Sequence, residues 1–207
     1  MEERQLSQQE SLLLIQQMIQ TAKKEQKDDG KGWIVWGWML FAASLLTIVN
    51  LHSKWFSTYF FWNLFGVATI IIFIYETVNT LFFKKKIKVR TYTKDLFEKL
   101  NAGFFICLMF IIVAINTGVP PTKGFALLIS LYAFWILIYG SALNFKPSVI
   151  GAYLTWAFGV AALFVKTFEM VMAMHALGVL FGYIIPGHIA YKEFKKLHRK
   201  ENIAQSV

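Results

Sequence analysis

The sequence predicts an all-α membrane protein: a bundle of six transmembrane helices preceded by a cytoplasmic amphipathic helix. The first observation is composition, because 57% of the residues are hydrophobic and only 16% are charged, whereas soluble domains contain about 25% charged residues. The second is a series of long apolar runs, and the third is the placement of basic residues between those runs. Since each span needs about 20 residues, the 207 residues leave no room for a large soluble domain.

Residues 1–32 are predicted to form the amphipathic helix and a hinge. Ser7 and Glu10 have the spacing at which each side chain caps the other's backbone amide. Leu12, Ile15 and Ile19 then recur at helical spacing, with glutamines and lysines on the other face. We expect this apolar face to dock on the membrane surface or on a partner protein. The segment lacks the features of a cleaved signal peptide, so we expect it to be retained.

A transmembrane domain is predicted over residues 33–190, followed by a basic cytoplasmic tail at 191–207. Pro147 is well placed to open a helix, whereas Pro186 and Gly187 are expected to stop the last span. Six apolar runs define the spans: Trp33–Leu51, Thr58–Phe83, Leu96–Asn116, Gly124–Leu143, Ser148–Val165 and Phe168–Ile185.

The basic residues predict the orientation of the spans. With the N-terminus in the cytoplasm, 18 lysines and arginines fall on the inner side and three, Lys54, Lys123 and Lys166, on the outer side. This asymmetry follows the positive-inside rule and places both termini in the cytoplasm. The chain carries a net charge of +9, and we therefore expect its basic residues to bind anionic lipid head groups. No nucleic-acid partner is expected.

The second apolar run carries an intramembrane acid. Glu76 lies on one helical face with Thr69, Asn79 and Thr80, so this polar stripe should face protein. Acids inside a membrane commonly face a cavity or a partner. Glu76 and Asn79 are therefore a candidate ligand or proton site, and the alternative is a pairing acid near the inner interface.

The last apolar run contains His175, a further candidate for the same ligand or proton site. Met170, Met174 and His175 could bind soft copper, but no metal site is expected, because methionine is also an ordinary packing residue. In the same run Gly178 and Gly182 form a GxxxG motif, which favours close helix packing within the chain, with homodimerisation as the alternative.

Other motifs give little support to an enzyme. The chain lacks metalloprotease, hydrolase and phosphate-loop signatures, so no enzymatic activity and no cofactor are expected. Its single cysteine, Cys107, lies in an apolar run and is predicted to be a buried, inert thiol. Lys166 and Glu169 are expected to form a local ion pair at the outer turn.

The segments SQQESLLLIQQMIQTAKKE, WIVWGW, KVRTYT and YIIPGHI together give the chain a family resemblance. It resembles small six-span proteins of the bacterial inner membrane that have no assigned activity. This resemblance implies the bacterial cytoplasmic membrane and a signalling or accessory role, and it transfers no functional residue. We therefore expect a non-enzymatic accessory, scaffold or sensor protein. The alternative is a small transporter or channel lined by Glu76, Asn79 and His175.

Overall fold

The computed structural model describes residues 30–82 and 92–205, and these residues form helices joined by short turns, with no strand among them. The last two helices are continuous through a π-helical turn, Leu180–Ile184. The helices are α1 Lys31–Ser53, α2 Phe60–Phe82, α3 Tyr92–Thr117, α4 Pro121–Ala142, α5 Lys146–Phe164, α6 Phe168–Val179 and α7 Ile185–Gln205.

Five helical stretches are long and apolar enough to cross a membrane. They comprise α1, the Lys99–Thr117 part of α3, α4, α5, and the continuous stretch Phe168–Lys196. A further apolar helical stretch, Phe60–Ile72, lies in α2. An all-helical fold with helices compatible with a membrane is thus confirmed for residues 30–82 and 92–205, while the count of six spans stays a prediction. The amphipathic helix with Leu12, Ile15 and Ile19 lies outside the described residues.

Two helices begin with a proline in their first turn, as the sequence predicts for Pro147. Pro121 and Pro147 both lie in the first turn of their helices, where the missing N–H of proline has no helical partner to lose. Only Val165, Lys166 and Thr167 separate α5 from α6. Because this join is so short, α5 and α6 pack against each other.

The protein core lies among α1, α4, α5 and α6. Ile129, Ile136, Val171 and Met172 are at most 1% exposed. Small residues let the backbones approach closely: a Cβ atom at Gly151 would overlap the carbonyl oxygen of Phe181. Close approach of this kind is the usual source of helix association in lipid, where apolar burial alone gives no driving force.

Helices α2 and α3 pack on the outside of this core and contribute only partly buried residues to it. Helix α2 packs along α1, and α3 packs along α4. No residue in the apolar stretch of α3 is buried. Cys107, on α3, is exposed, so the prediction of a buried thiol is wrong. An apolar surrounding on a membrane helix can be lipid rather than protein, and the sequence pattern is the same in both cases.

Pro186 does not end the last helix, contrary to the prediction. The N–H of Ile185 reaches back five residues to the carbonyl oxygen of Leu180, and this wider π turn accommodates the proline ring and its missing donor. The helix then continues to Gln205. The predicted domain boundary at residue 190 therefore falls within α7.

Candidate binding site at His175

His175 lies at the centre of the core and is 1% exposed. It is carried by α6, and its Nδ1 atom lies 2.8 Å from the hydroxyl oxygen of Ser44 on α1. Ser44 itself is fully buried. The pair therefore joins two core helices that are far apart in the sequence.

The direction of the Ser44 hydroxyl sets the tautomer of the His175 ring. The hydroxyl carries a single proton, and the carbonyl oxygen of Leu40 and Nδ1 of His175 both lie 2.8 Å from its oxygen. When the proton goes to Leu40, the Ser44 oxygen accepts a hydrogen bond from Nδ1–H of His175. In a neutral imidazole this leaves Nε2 with a free lone pair.

The Nε2 atom of His175 is buried and has no hydrogen-bond partner among residues 30–82 and 92–205. Buried polar atoms are usually satisfied, and a buried acceptor without a donor costs about 1–3 kcal/mol. The unpaired Nε2 is thus a chemically distinctive atom in the core.

Aromatic rings and a thioether surround His175. The ring of Trp62 on α2 lies 5.1 Å from the imidazole, centroid to centroid, in an edge-to-face arrangement. The ring of Tyr132 on α4 lies 5.6 Å away, also edge to face. The Trp62 indole N–H donates to the sulfur of Met172 at 3.3 Å. Four helices therefore meet at this site.

A row of buried polar residues runs along α1 from this site towards Glu169, and we name that side of the bundle the Glu169 end. Ser44 is followed by Thr47, which bonds to the carbonyl oxygen of Ala43 at 2.6 Å. Asn50 then holds the turn between α1 and α2, since its side chain bonds the backbones of Phe56 and Ser57. These groups are satisfied locally, so they stabilise the turn and the helix.

At the Glu169 end, Glu169 is paired with His52, whose Nε2 lies 3.0 Å from the carboxylate. The predicted pairing of Glu169 with Lys166 is therefore wrong. The side chain of His52 is 68% exposed, and that of Glu169 is 49% exposed. The sequence gives no sign of this contact because α1 and α6 meet only in the folded chain.

The structure does not place Asn79 beside His175. Trp62 contacts His175, and Asn79 lies about 25 Å further along the same helix at about 1.5 Å per residue. Asn79 is half-buried, and the side chain of Glu76 is outside the described set. The predicted site at Glu76 and Asn79 would thus be separate from His175.

The methionines divide in an unexpected way. Met170 is 56% exposed, and Met174 is half-buried against the core. Met172 is fully buried, and Trp62 contacts both Met172 and His175. Among the described residues no group of three histidines, cysteines or acids could hold a metal ion.

The GxxxG motif packs against another helix of the same chain. A Cβ atom at Gly178 would lie 3.2 Å from Thr155, and one at Gly182 would lie 2.6 Å from its hydroxyl. The Thr155 hydroxyl is shared between the carbonyl oxygens of Gly151 at 2.8 Å and Gly178 at 2.9 Å. This motif therefore packs α5 against α6.

Sequence reasoning found His175, with Met172 close to its side of the helix, but not Ser44, Trp62 or Tyr132, which complete its surroundings. These residues come from three other helices, and their sequence neighbourhoods are ordinary apolar runs. A signal was present for Met172 alone, because it lies three residues before His175 and so on the same side of a helix.

Comparison with known proteins adds no relative: no protein-family model matches the chain, and no curated protein or solved structure is significantly similar to it.

Proposed function

We propose that the protein is a non-enzymatic accessory, scaffold or sensor component of the bacterial cytoplasmic membrane, with both termini in the cytoplasm. It acts through contacts of its helices with another protein and of its basic segments with anionic lipid. The predicted amphipathic helix with Leu12, Ile15 and Ile19 supplies a second contact surface at the cytoplasmic side.

The observation that carries this proposal is the contrast between a filled core and an unburied α3. The centre of the bundle is occupied by side chains such as Ile129, Ile136 and Met172, each at most 1% exposed. Helix α3 instead presents Met109, Phe110 and Val113, each more than half exposed. Such a surface suits lateral contact in the membrane, and the filled centre gives no support to a wide pore.

The test is photo-cross-linking in native membranes. A p-benzoylphenylalanine at position 110 of α3 should form a discrete cross-link to a polypeptide. The matched control replaces Phe134, an aromatic residue on core helix α4 that is 50% exposed, and it should label lipid only. If both positions label lipid only, the contact proposal is overturned for α3.

A flux assay tests the transporter alternative with the same purified protein. Liposomes containing the wild type should show no ion or proton flux above empty liposomes, and Glu76→Gln should change nothing. Flux that is present in the wild type and lost in Glu76→Gln would replace the accessory proposal by the transporter alternative.

A further inference from the structure

The unpaired Nε2 of His175 points to a function of its own. We propose that Nε2 of His175 and the thioether sulfur of Met172 form a binding site for one soft monovalent metal ion, copper(I). The site is independent of the contact role proposed above, since it uses only residues in the core.

The orientation of the His175 ring supports this assignment. Metal-binding histidines usually donate their second ring N–H to a neighbouring acceptor, which fixes the tautomer and raises the basicity of the binding nitrogen. Ser44 holds this position, with its oxygen 2.8 Å from Nδ1 and its own proton directed to Leu40. Ser44 is thus a positioning residue for Nε2.

Met172 supplies the second donor. It precedes His175 by three residues on α6, so both side chains lie on neighbouring positions of one helix face. The Trp62 indole lies next to both groups. Its ring centroid is 5.1 Å from that of the imidazole, and its nitrogen is 3.3 Å from the sulfur. The sulfur has a second lone pair, which the Trp62 bond leaves available.

The residues around the site favour an ion that is monovalent and soft. The buried polar residues of the described chain are serines, threonines, an asparagine and His175, with no carboxylate among them. A divalent ion would keep its full charge in this apolar core, at a high cost. A monovalent ion costs less. Imidazole with thioether is a soft ligand set suited to copper(I).

A buried water is the plainer occupant, and the site suits it poorly. A buried water needs two to four polar partners. Next to the His175 ring lie two aromatic rings and, at the opposite nitrogen, the Ser44 hydroxyl, while the Met172 sulfur already accepts the Trp62 N–H. A thioether is a weak hydrogen-bond acceptor but a good ligand for copper(I).

The test is metal binding by the full-length protein in detergent or nanodiscs. Copper(I) is supplied under reducing, anaerobic conditions against a competing chelator, and silver(I) serves as a redox-inert probe. The wild type should bind one equivalent. Met172→Leu and His175→Gln should each lower the affinity about tenfold or more, and Ser44→Ala by about tenfold. Met170→Leu, on the same helix but 56% exposed, should bind like the wild type.

Two measurements keep the result independent of folding. Thermal unfolding of each variant without metal identifies any that fail to fold. Nitrogen NMR of the wild type, labelled at histidine, should show an unprotonated Nε2 that shifts on addition of silver(I). The proposal is overturned if the wild type binds no metal, if Met172→Leu and Met170→Leu behave alike, or if Nε2 already carries a proton.

Discussion

Helices α3 and α4 have nearly the same apolar character but opposite surroundings. The mean hydropathy of their apolar stretches is 2.1 for α3 and 1.9 for α4, yet none of the α3 stretch is buried, against 44% of that of α4. Hydropathy therefore reports compatibility with a membrane and says little about which helix packs inside. The difference lies in small residues, because they let backbones approach where lipid and protein are equally apolar.

The glycines make the same contrast residue by residue. Cβ atoms added to Gly151 or Gly182 in the core would meet neighbouring atoms, whereas nothing lies within 4 Å of a Cβ added to Gly66 or Gly103 in α2 and α3. A glycine in the core is therefore a packing residue, while one in the outer helices carries only its usual backbone cost.

The largest effect is expected from Gly151→Ala. Its new methyl group would collide with the Phe181 carbonyl, and backbone cannot move aside as a flexible side chain can. The free energy of unfolding in mixed micelles should fall by about 3 kcal/mol. The matched change Gly103→Ala on α3 should leave it unchanged or raise it by up to about 1 kcal/mol. Equal losses for both would remove the distinction between core and outer helices.

A smaller loss is expected from emptying the core. Ile136 is fully buried, so Ile136→Ala should lower the free energy of unfolding by about 2 kcal/mol, mainly through the cavity it leaves. Ile106 on α3 is 58% exposed, and Ile106→Ala should change the same quantity by less than about 0.5 kcal/mol. A loss at Ile106 as large as at Ile136 would indicate that α3 packs against protein there.

The hydrogen bond between α5 and α6 should contribute less to the free energy of unfolding than the buried side chain of Ile136. Thr155→Val keeps the shape and removes the hydroxyl shared with Gly178, so the free energy of unfolding should fall by about 0.6 kcal/mol, a typical value for interhelical bonds in membranes. Thr117→Val is the control, because that hydroxyl bonds only within α3. No difference between the two variants would assign no net stability to the bond across helices.

The smallest effect concerns the pair at the Glu169 end. Glu169→Gln should lower the free energy of unfolding by about 0.5 kcal/mol or less, since exposed ion pairs contribute little. Lys166→Gln should show no loss, and a loss there would restore Lys166 as the partner of Glu169.

Much of the helical layout could be predicted from sequence, because prolines and apolar runs act locally. Pro147 opens its helix as predicted. The continuation of the helix through Pro186 could not be predicted, because the π turn depends on the close fit of Phe181 and Gly182 against α5. A long-range fit of this kind overrides the local preference of proline to end a helix.

The candidate site was predictable only in part. His175 stands out as a titratable residue in an apolar run, but its partner Ser44 and its neighbours Trp62 and Tyr132 come from other helices. Their contacts depend on how the helices are arranged, which periodicity within one helix does not encode. Glu76 and Asn79 remain a prediction, because the side chain of Glu76 is outside the described set.

The continuous rod formed by α6 and α7 has a geometric consequence. At about 1.5 Å per residue it measures about 57 Å, nearly twice the hydrocarbon thickness of about 30 Å. A rod of this length is longer than a hydrocarbon layer is thick, and its far portion carries the exposed Lys192, Lys195, Lys196 and Arg199. The extra residue in the π turn sets the rotation of α7 relative to α6, since each residue advances a helix by about 100°. Loss of that one residue would turn the basic side of α7 by about a quarter of a revolution.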